Sequence, residues 1–277
     1  MLCLKKLFSV GVLLGVFVLY PLSAQAQTEY TLGVVPQFDS RKIAKTWHPI
    51  IREIERQSGI KLKLVGAPSI PDFEKAFTKG EYDFAYMNPY HALVANKSQG
   101  YQPIIRDVGR QLFGIIVVRK DSSINSVKEL DKLTVAFPAP NALGAALIPR
   151  AEFANKYNIN IKPKYVKSHG SVYLNVLLGQ TQAGGGVQKT FEHQTEEIKS
   201  QLRILYKTSK VAPHPIVVHP RVSKDSVDKF VQAILSMRES EKQSALLKKV
   251  PIKQAGKASL KDYLPLQEMG LDKFYIK

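Results

Sequence analysis

Short apolar runs alternate with segments of helical periodicity along most of the chain. The run from Tyr30 to Val35 predicts a first strand. Ser40 is then a candidate N-cap for a helix that Gly59 ends. Because strands that alternate with helices build parallel sheets, the pattern predicts an α/β fold. The inward positions of this first helix are predicted to be Ile43, Trp47, Ile50, Ile51 and Ile54.

The alternation continues in two series, which predict two lobes. Each lobe is expected to be a mostly parallel sheet flanked by helices, and the chain ends in a lysine-rich helical tail from Ser223. The predicted strands lie at 62–65, 82–87, 102–106 and 112–118 in the first series, at 133–137, 164–167, 183–187 and 203–206 in the second, and at 216–219.

Two segments are predicted to carry the chain between the lobes. They lie at 119–125, after a β-branched strand, and at 209–215, where two prolines mark a connection. One lobe would then comprise 28–119 plus 214–277, and the other 120–213. Two connecting segments form a hinge, and hinge closure around a ligand in the cleft is expected.

Residues 1–26 have the pattern of a secretory signal peptide. Lys5 and Lys6 precede the apolar run from Leu7 to Leu22, and small residues up to Ala26 fit a cleavage site. We therefore expect an exported mature protein that begins at Gln27. A retained membrane anchor is the alternative, but a run of about 16 residues is shorter than the roughly 20 that a spanning helix needs. No stable membrane insertion is expected.

Composition and charge narrow the classes of partner. The 277 residues are 44% hydrophobic, enough for buried cores, which excludes intrinsic disorder. The single cysteine, Cys3, excludes a disulfide framework and multi-cysteine zinc sites. The formal charge of +17 falls to about +15 without the two leader lysines and favours an anionic partner. Because the lysines are scattered and the chain is exported, we expect a small-molecule anion and no nucleic acid.

Three predicted strand-to-helix turns could bind a small anion, because helix N-termini present free amides and a positive dipole end. Each turn could equally cap its helix without touching a ligand. The turns lie at 86–91, 137–142 and 168–171, and their candidate caps are Asn88, Asn141 and Ser171.

Catalytic and metal signatures are missing from the sequence. It contains no G-x-S-x-G, P-loop, H-E-x-x-H or G-x-G-x-x-G motif and no recognisable nucleophile–base pair, so neither an enzyme nor a cofactor is expected. His214 and His219 could suggest a metal pair. An offset of five along a strand places them on opposite faces, so no metal site is expected there.

Seven segments spread over nearly the whole mature chain carry a family resemblance. They are Leu32–Gln37, Trp47–Pro49, Tyr82–Tyr90, Gly100–Tyr101, Val135–Pro138, Ser168–Ser171 and His214–Ile216. In them the sequence resembles the phosphate/phosphite/phosphonate substrate-binding proteins of ABC transporters. The resemblance implies a two-lobed periplasmic binding protein of the type II arrangement, with the anion between the lobes and an inner-membrane ABC permease as partner.

The resemblance also implies a set of ligand-binding residues. These residues follow the first strand, occupy the strand-to-helix turns or match an acidic family position. Among them, His169 is expected to donate to the anion, and Tyr90 is expected to pack or donate against it. The implied residues are Gln37, Phe38, Tyr90, Asn141, Ala142, His169, Ser171 and Gln182.

Two of these places depart from the family pattern. Where phosphonate binders carry hydroxyl residues at a helix N-terminus, this chain has Pro140, Asn141 and Ala142. Gln182 stands where such binders have an acidic residue. An anion site would then rest on backbone amides and neutral side chains.

Two functions remain open from the sequence. The first is a monomeric periplasmic component of an ABC transporter that binds a phosphonate, phosphite or phosphate-like oxyanion between closing lobes. The alternative is a ligand-sensing periplasmic protein that docks on a membrane sensor kinase or cyclase.

Overall fold

The computed structural model describes residues 28–276, so the predicted signal peptide at 1–26 lies outside the described residues. Within the described range no helix is long and apolar enough to cross a membrane. The strands are β1 (Glu29–Val34), β2 (Lys61–Val65), β3 (Phe84–Tyr86), β4 (Gln102–Asp107), β5 (Gly114–Arg119), β6 (Thr134–Phe137), β7 (Lys162–Tyr165), β8 (Ala183–Val187), β9 (Leu202–Lys207), β10 (Ile216–Val218) and β11 (Ala255–Lys257). The α-helices are α1 (Ser40–Ser58), α2 (Ile70–Thr78), α3 (Pro89–Gln99), α4 (Ile148–Asn155), α5 (His169–Leu177), α6 (Gln188–Glu192), α7 (Glu196–Ser200), α8 (Lys224–Ser236) and α9 (Glu241–Lys249).

The strands form two mixed sheets, and each sheet with its helices is one lobe. The first sheet has the order β11-β4-β10-β3-β1-β2, and the second β7-β6-β8-β5-β9. The predicted two-lobed α/β fold is confirmed, but the sheets are not mostly parallel. In the first sheet β1 pairs in parallel with β2 and β3, whereas β10 returns from the second lobe and inserts antiparallel between β3 and β4. In the second sheet β5 and β9 add the antiparallel pairs.

The chain first crosses between the lobes before β5, whereas the sequence pattern predicts this crossing after it. Strand β5 pairs with β8 and β9 of the second sheet, so the crossing lies at 108–113. The return crossing lies at 208–215, and the two segments are joined by a bridge between Leu112 and Val211, whose backbone groups exchange two hydrogen bonds of 2.8 Å. An apolar run shows that a strand is central, but it does not show to which sheet the strand belongs.

Helix α1 matches its predicted inward face. Trp47 and the four isoleucines of the stripe are buried against the first sheet. The cap differs by one residue, because Asp39 accepts a hydrogen bond from the Lys42 amide and Ser40 is already helical. Gly59 ends the helix with a φ of 71°, a left-handed conformation that glycine adopts without strain.

The helix predicted from Asn141 starts as a π-helical turn. Residues Leu143–Leu147 form this turn and continue directly into α4. Pro149 has no amide hydrogen to donate, so the usual pairing to residue 145 is missing, and the Leu147 amide reaches back to the Ala142 carbonyl at 3.1 Å.

Strand β8 lets helices pack unusually close to both faces of the second sheet. A Cβ on Gly185 would lie 2.0 Å from the Ala145 carbonyl oxygen, and one on Gly186 would lie 2.1 Å from the Tyr173 hydroxyl. Gly185 is therefore required by the approach of a backbone carbonyl, which holds the π-helical turn against the strand, whereas Gly184 and Gly186 face side chains of α5.

After β11 the chain continues in 3-10 turns over residues 260–273. The Tyr263 hydroxyl donates to the Pro213 carbonyl at 3.1 Å. Nearer the C-terminus, the Asn141 amide nitrogen donates to the Ile276 carbonyl at 2.7 Å, and the Ile276 amide donates to the Asn141 side-chain oxygen at 2.9 Å. The end of the described chain thus contacts the second lobe.

Substitution of Gly185 tests the close approach of β8. We expect Gly185→Ala to lower the free energy of unfolding by about 1–3 kcal/mol, because a backbone carbonyl cannot move aside as a side chain can. Urea denaturation followed by circular dichroism measures the effect. The control is Gly66→Ala, where no atom lies within 4 Å of the added methyl group and we expect a change below about 0.5 kcal/mol. Equal stability of the two variants would contradict the packing argument.

Candidate functional site

A small cavity lies between the lobes where parallel strands of both sheets end. It has a volume of about 20 Å³, room for about one water molecule. Open α/β sheets bind ligands beyond the carboxyl ends of their strands, and the residues of this wall lie there. We call it the central cavity, and its wall consists of Val35, Gln37, Ile70, Asn88, Ala142, Leu143, Gly144, Ala145, His169, Val187 and His214.

The second lobe contributes an uncapped helix end to the central cavity. Ala142 is the N-cap of the π-helical turn and has no side chain that could accept from the amides after it. The first amides of a helix have no partner within the helix, so those of Leu143, Gly144 and Ala145 are available to a ligand. The positive end of the helix dipole adds to their attraction for an anion.

His169, at the start of α5, is buried in the wall of the central cavity. Its Nδ1 lies 3.3 Å from the Thr190 hydroxyl oxygen. Thr190 also lies 2.8 Å from both the Val187 carbonyl, to which it donates, and the Tyr173 hydroxyl. This geometry favours the tautomer with the imidazole proton on Nδ1 and a lone pair on Nε2. Nε2 has no hydrogen-bond partner among residues 28–276. Burial lowers the pKa of His169 to about 4, so the ring is neutral at pH 7.

The first lobe supplies Gln37 and His214. The Gln37 amide nitrogen donates to His214 Nε2 at 3.1 Å, which places the imidazole proton on Nδ1. His214 Nδ1 is buried and has no partner within the described chain. The ring stacks on Tyr86 at 5.4 Å. Burial, reinforced by Arg110, lowers the pKa of His214 to about 3.

The wall of the central cavity is therefore uncharged. It includes no lysine, arginine, aspartate or glutamate, and both of its histidines are neutral at pH 7. Its donors are helix amides, a side-chain amide and an imidazole N–H, which suit the oxygens of a small anion. Elsewhere in the described residues no group of three or more histidine, cysteine, aspartate or glutamate residues is arranged to hold a metal ion.

Three of the residues implied by the family resemblance meet at the central cavity, namely Gln37, Ala142 and His169. Phe38 lies at the mouth of the cleft, where its ring contacts His193 edge-on at 5.7 Å and Lys42 lies 4.0 Å from the ring centre.

The structure does not bring four other implied residues to the central cavity. The Asn141 side chain forms hydrogen bonds with the backbone of Ile276 and donates to the Glu74 carboxylate at 2.9 Å. It therefore does not cap the helix. Tyr90 packs on Tyr275, with 5.4 Å between the ring centres, and is not in the wall of the central cavity.

Ser171 is a helical residue rather than a cap. Ser168 caps α5 and accepts from the Ser171 amide at 3.1 Å. Gln182 precedes β8 and accepts from the Thr134 amide at 3.1 Å, which places it at the amino ends of the strands. The cleft lies at the carboxyl ends.

Some wall residues are not among the site residues expected from the sequence. Gly144 and Ala145 contribute backbone amides, which leave no side-chain signal. The sequence suggests His214 only as a metal ligand, although the two prolines beside it, Pro213 and Pro215, mark the return crossing. Asn88 is the predicted cap, and its side-chain oxygen accepts from the His91 amide at 2.8 Å. The same side chain also donates to the Asn141 carbonyl in the other lobe at 3.3 Å.

Comparisons with known proteins agree with one another. The family model described as "ABC transporter, phosphonate, periplasmic substrate-binding protein" matches residues 32–263. The chain is 22% identical over 288 residues to the phosphonates-binding periplasmic protein of Escherichia coli (strain K12), covering 98% of this chain and 83% of that protein. It is 23% identical over 222 residues to the phosphate-import protein PhnD of Mycolicibacterium smegmatis, covering 72% of this chain and 69% of that protein.

A solved structure shows the same fold. PhnD1 of Prochlorococcus marinus (MIT 9301), in complex with methylphosphonate, superposes with a TM-score of 0.80 at 18% identity. The alignment covers 90% of this chain and 99% of that one. At this identity the likeness establishes the two-lobed architecture alone.

The buried histidines should make stability depend on pH. Their pKa values of about 4 and about 3 lie below the ordinary value of 6.5. Below pH 6.5 the unfolded chain therefore binds protons at these sites that the folded protein excludes, and stability falls as the pH is lowered toward 4. We expect the double variant His169→Gln, His214→Gln to lose less free energy of unfolding than the wild type between pH 6.5 and 5 in urea denaturation.

The matched control for this experiment is His48→Gln. His48 is exposed on α1, so the variant should keep the wild-type slope of stability against pH. If the double variant also keeps the wild-type slope, the lowered pKa values of His169 and His214 are wrong.

Proposed function

The chain belongs to the family of periplasmic substrate-binding proteins of phosphonate ABC transporters, and from its cleft we propose that it binds a phosphonate, phosphite or phosphate-like anion between its lobes. Members of this family are transport components rather than enzymes. The observation that supports the ligand class is the uncharged wall of donors in the central cavity. The relatives' names, which mention phosphonates, phosphate import and methylphosphonate, point to the same class.

We propose that both lobes hold the anion. The amides of Leu143, Gly144 and Ala145 would donate to its oxygens from the second lobe, and Gln37 and His214 would face it from the first. The central cavity has room for about one water molecule, so a tetrahedral anion requires the lobes to separate slightly about the paired crossings at 108–113 and 208–215. Ligand contacts to both lobes would then favour the closed form.

We further propose that the protein acts in the periplasm and that an ABC permease receives the bound anion. Residues 1–26 would direct export to the periplasm, and the closed protein would deliver its anion to an inner-membrane ABC permease. From sheet membership, we propose that one lobe comprises 28–107 plus 216–276 and the other 114–207, with His214 of the return crossing packed against the first. The family's transport role favours this function over the sensory alternative.

Calorimetry of the mature protein tests the ligand class. Titrations with phosphate, phosphite, methylphosphonate and 2-aminoethylphosphonate should show binding of at least one of them, with sulfate as a competitor. We expect His169→Ala to weaken that binding by about 10- to 100-fold, because a hydrogen bond to a charged group contributes about 1.5–3 kcal/mol. His48→Ala, on the exposed face of α1, is the matched control. Folded protein that binds none of the four anions would refute the assignment.

The tautomer of His169 predicts that one proton is shared with the ligand. Because Nε2 carries a lone pair, it can face an anion only when a proton lies between them, brought by a monoanion or taken up with a dianion. At pH 8 the proton uptake should equal the fraction of the free ligand that is a dianion, because only the dianion arrives without the shared proton. Calorimetry in buffers of different ionisation enthalpy measures this uptake.

The variant His169→Gln should bind with much less proton uptake. His214 is the other titratable group on the wall, so His214→Gln serves as the comparison. Wild-type binding at pH 8 without proton uptake would exclude the shared proton.

A further inference from the structure

A second cavity adjoins the central cavity and extends toward the first crossing segment. It has a volume of about 230 Å³ and shares Gln37, Val187 and His214 with the wall of the central cavity. We call it the basic annexe. Its charged wall residues are Arg110, Lys189, Glu192, Lys248 and Lys253.

The annexe carries an uncompensated positive charge. Lys189, Lys248 and Lys253 make no ion pair and no side-chain hydrogen bond among the described residues. The one carboxylate of the wall, Glu192, accepts from the Gln188 side-chain amide nitrogen at 2.7 Å. Arg110 is held by the Pro251 carbonyl at 3.0 Å and is partly neutralised by Asp107 at 3.5 Å. Three lysines therefore remain available to an anionic group.

A second opening of the central cavity has a smaller excess of positive charge. It is lined by Lys42 and Lys167 together with Asp39, and it shares Gln37 and His169 with the central cavity. The Lys42 ammonium lies 4.0 Å from the centre of the Phe38 ring. Of these two openings, the annexe therefore has the larger excess of positive charge for a ligand substituent that extends out of the central cavity.

We propose that the ligand is a phosphonate with a second anionic group, such as a carboxylate, which enters the basic annexe while the phosphoryl group occupies the central cavity. This inference rests on the proposed function and specifies its substrate class. Lys189 belongs to the second lobe, whereas Lys248 and Lys253 belong to the first, so the second group would also bridge the lobes. An ammonium substituent would be repelled there.

Binding assays with matched ligands test the annexe. Dissociation constants are measured at about 0.15 M salt for methylphosphonate, 2-aminoethylphosphonate, phosphonoacetate and 3-phosphonopropionate. We expect at least one phosphonocarboxylate to bind about tenfold more tightly than methylphosphonate, since exposed ion pairs contribute little singly but add up. The annexe variant Lys189→Gln, Lys248→Gln, Lys253→Gln should lose this preference, while its affinity for methylphosphonate changes by less than about threefold.

A second triple variant separates local binding from general steering. Lys61→Gln, Lys120→Gln, Lys162→Gln removes the same charge from exposed positions outside the annexe and should keep the preference. Loss of preference in both variants would overturn the inference, and so would wild-type protein that binds methylphosphonate as tightly as either phosphonocarboxylate.

The outcomes also separate this inference from the proposed function. If the protein binds methylphosphonate as tightly as the phosphonocarboxylates, the inference about the annexe fails and the proposed function stands. If phosphonocarboxylates alone bind and the annexe variant loses them, both stand. If only phosphate or phosphite binds, the inference fails and the proposed function stands. If none of these anions binds, both fail.

Discussion

The close contact between strand β8 and the π-helical turn at Leu143–Leu147 determines the geometry of the cleft. The backbone of Gly185 lies so near the Ala145 carbonyl that no side chain fits between them. Gly114 on the neighbouring strand has the same relation to the Gly144 carbonyl, since a Cβ there would lie 1.8 Å away. These contacts fix the helix end at the carboxyl edge of the second sheet. Its free amides therefore face Gln37 and His214 of the other lobe.

The donors at this edge are neutral because a charge would be costly to bury there. A buried ionised group loses its hydration whether or not a ligand is present, whereas an amide or a neutral imidazole loses much less. The same loss of hydration on burial lowers the pKa values of His169 and His214. The chain instead keeps its excess of lysines near water, in the basic annexe and on the helices. In the proposed function, charge would attract anions to the cleft, while hydrogen-bond geometry would select among them.

Much of the fold is predictable from the sequence, because it depends on local patterns. The stripe on α1, the Asn88 cap and the two α/β series follow from periodicity and turn residues. Strand pairing is not local, so the same patterns could not place β5 in the second sheet or β10 between antiparallel neighbours. The site divides in the same way. Gln37 and His169 are visible as side chains after strands, but the amides of Gly144 and Ala145 are visible only once Pro149 and the glycines of β8 are seen to shape the turn.

Asn141 shows how a residue expected to bind the ligand can act on binding from outside the cavity. Its side chain holds Ile276 and contacts Glu74 of the first lobe, while its carbonyl accepts from Asn88. These hydrogen bonds join the lobes while the central cavity has room for about one water molecule. Lobe separation must weaken some of them, and they compete with any ligand that needs a wider cleft. The affinity of the protein is therefore the difference between the ligand's contacts to both lobes and the contacts the lobes make with each other.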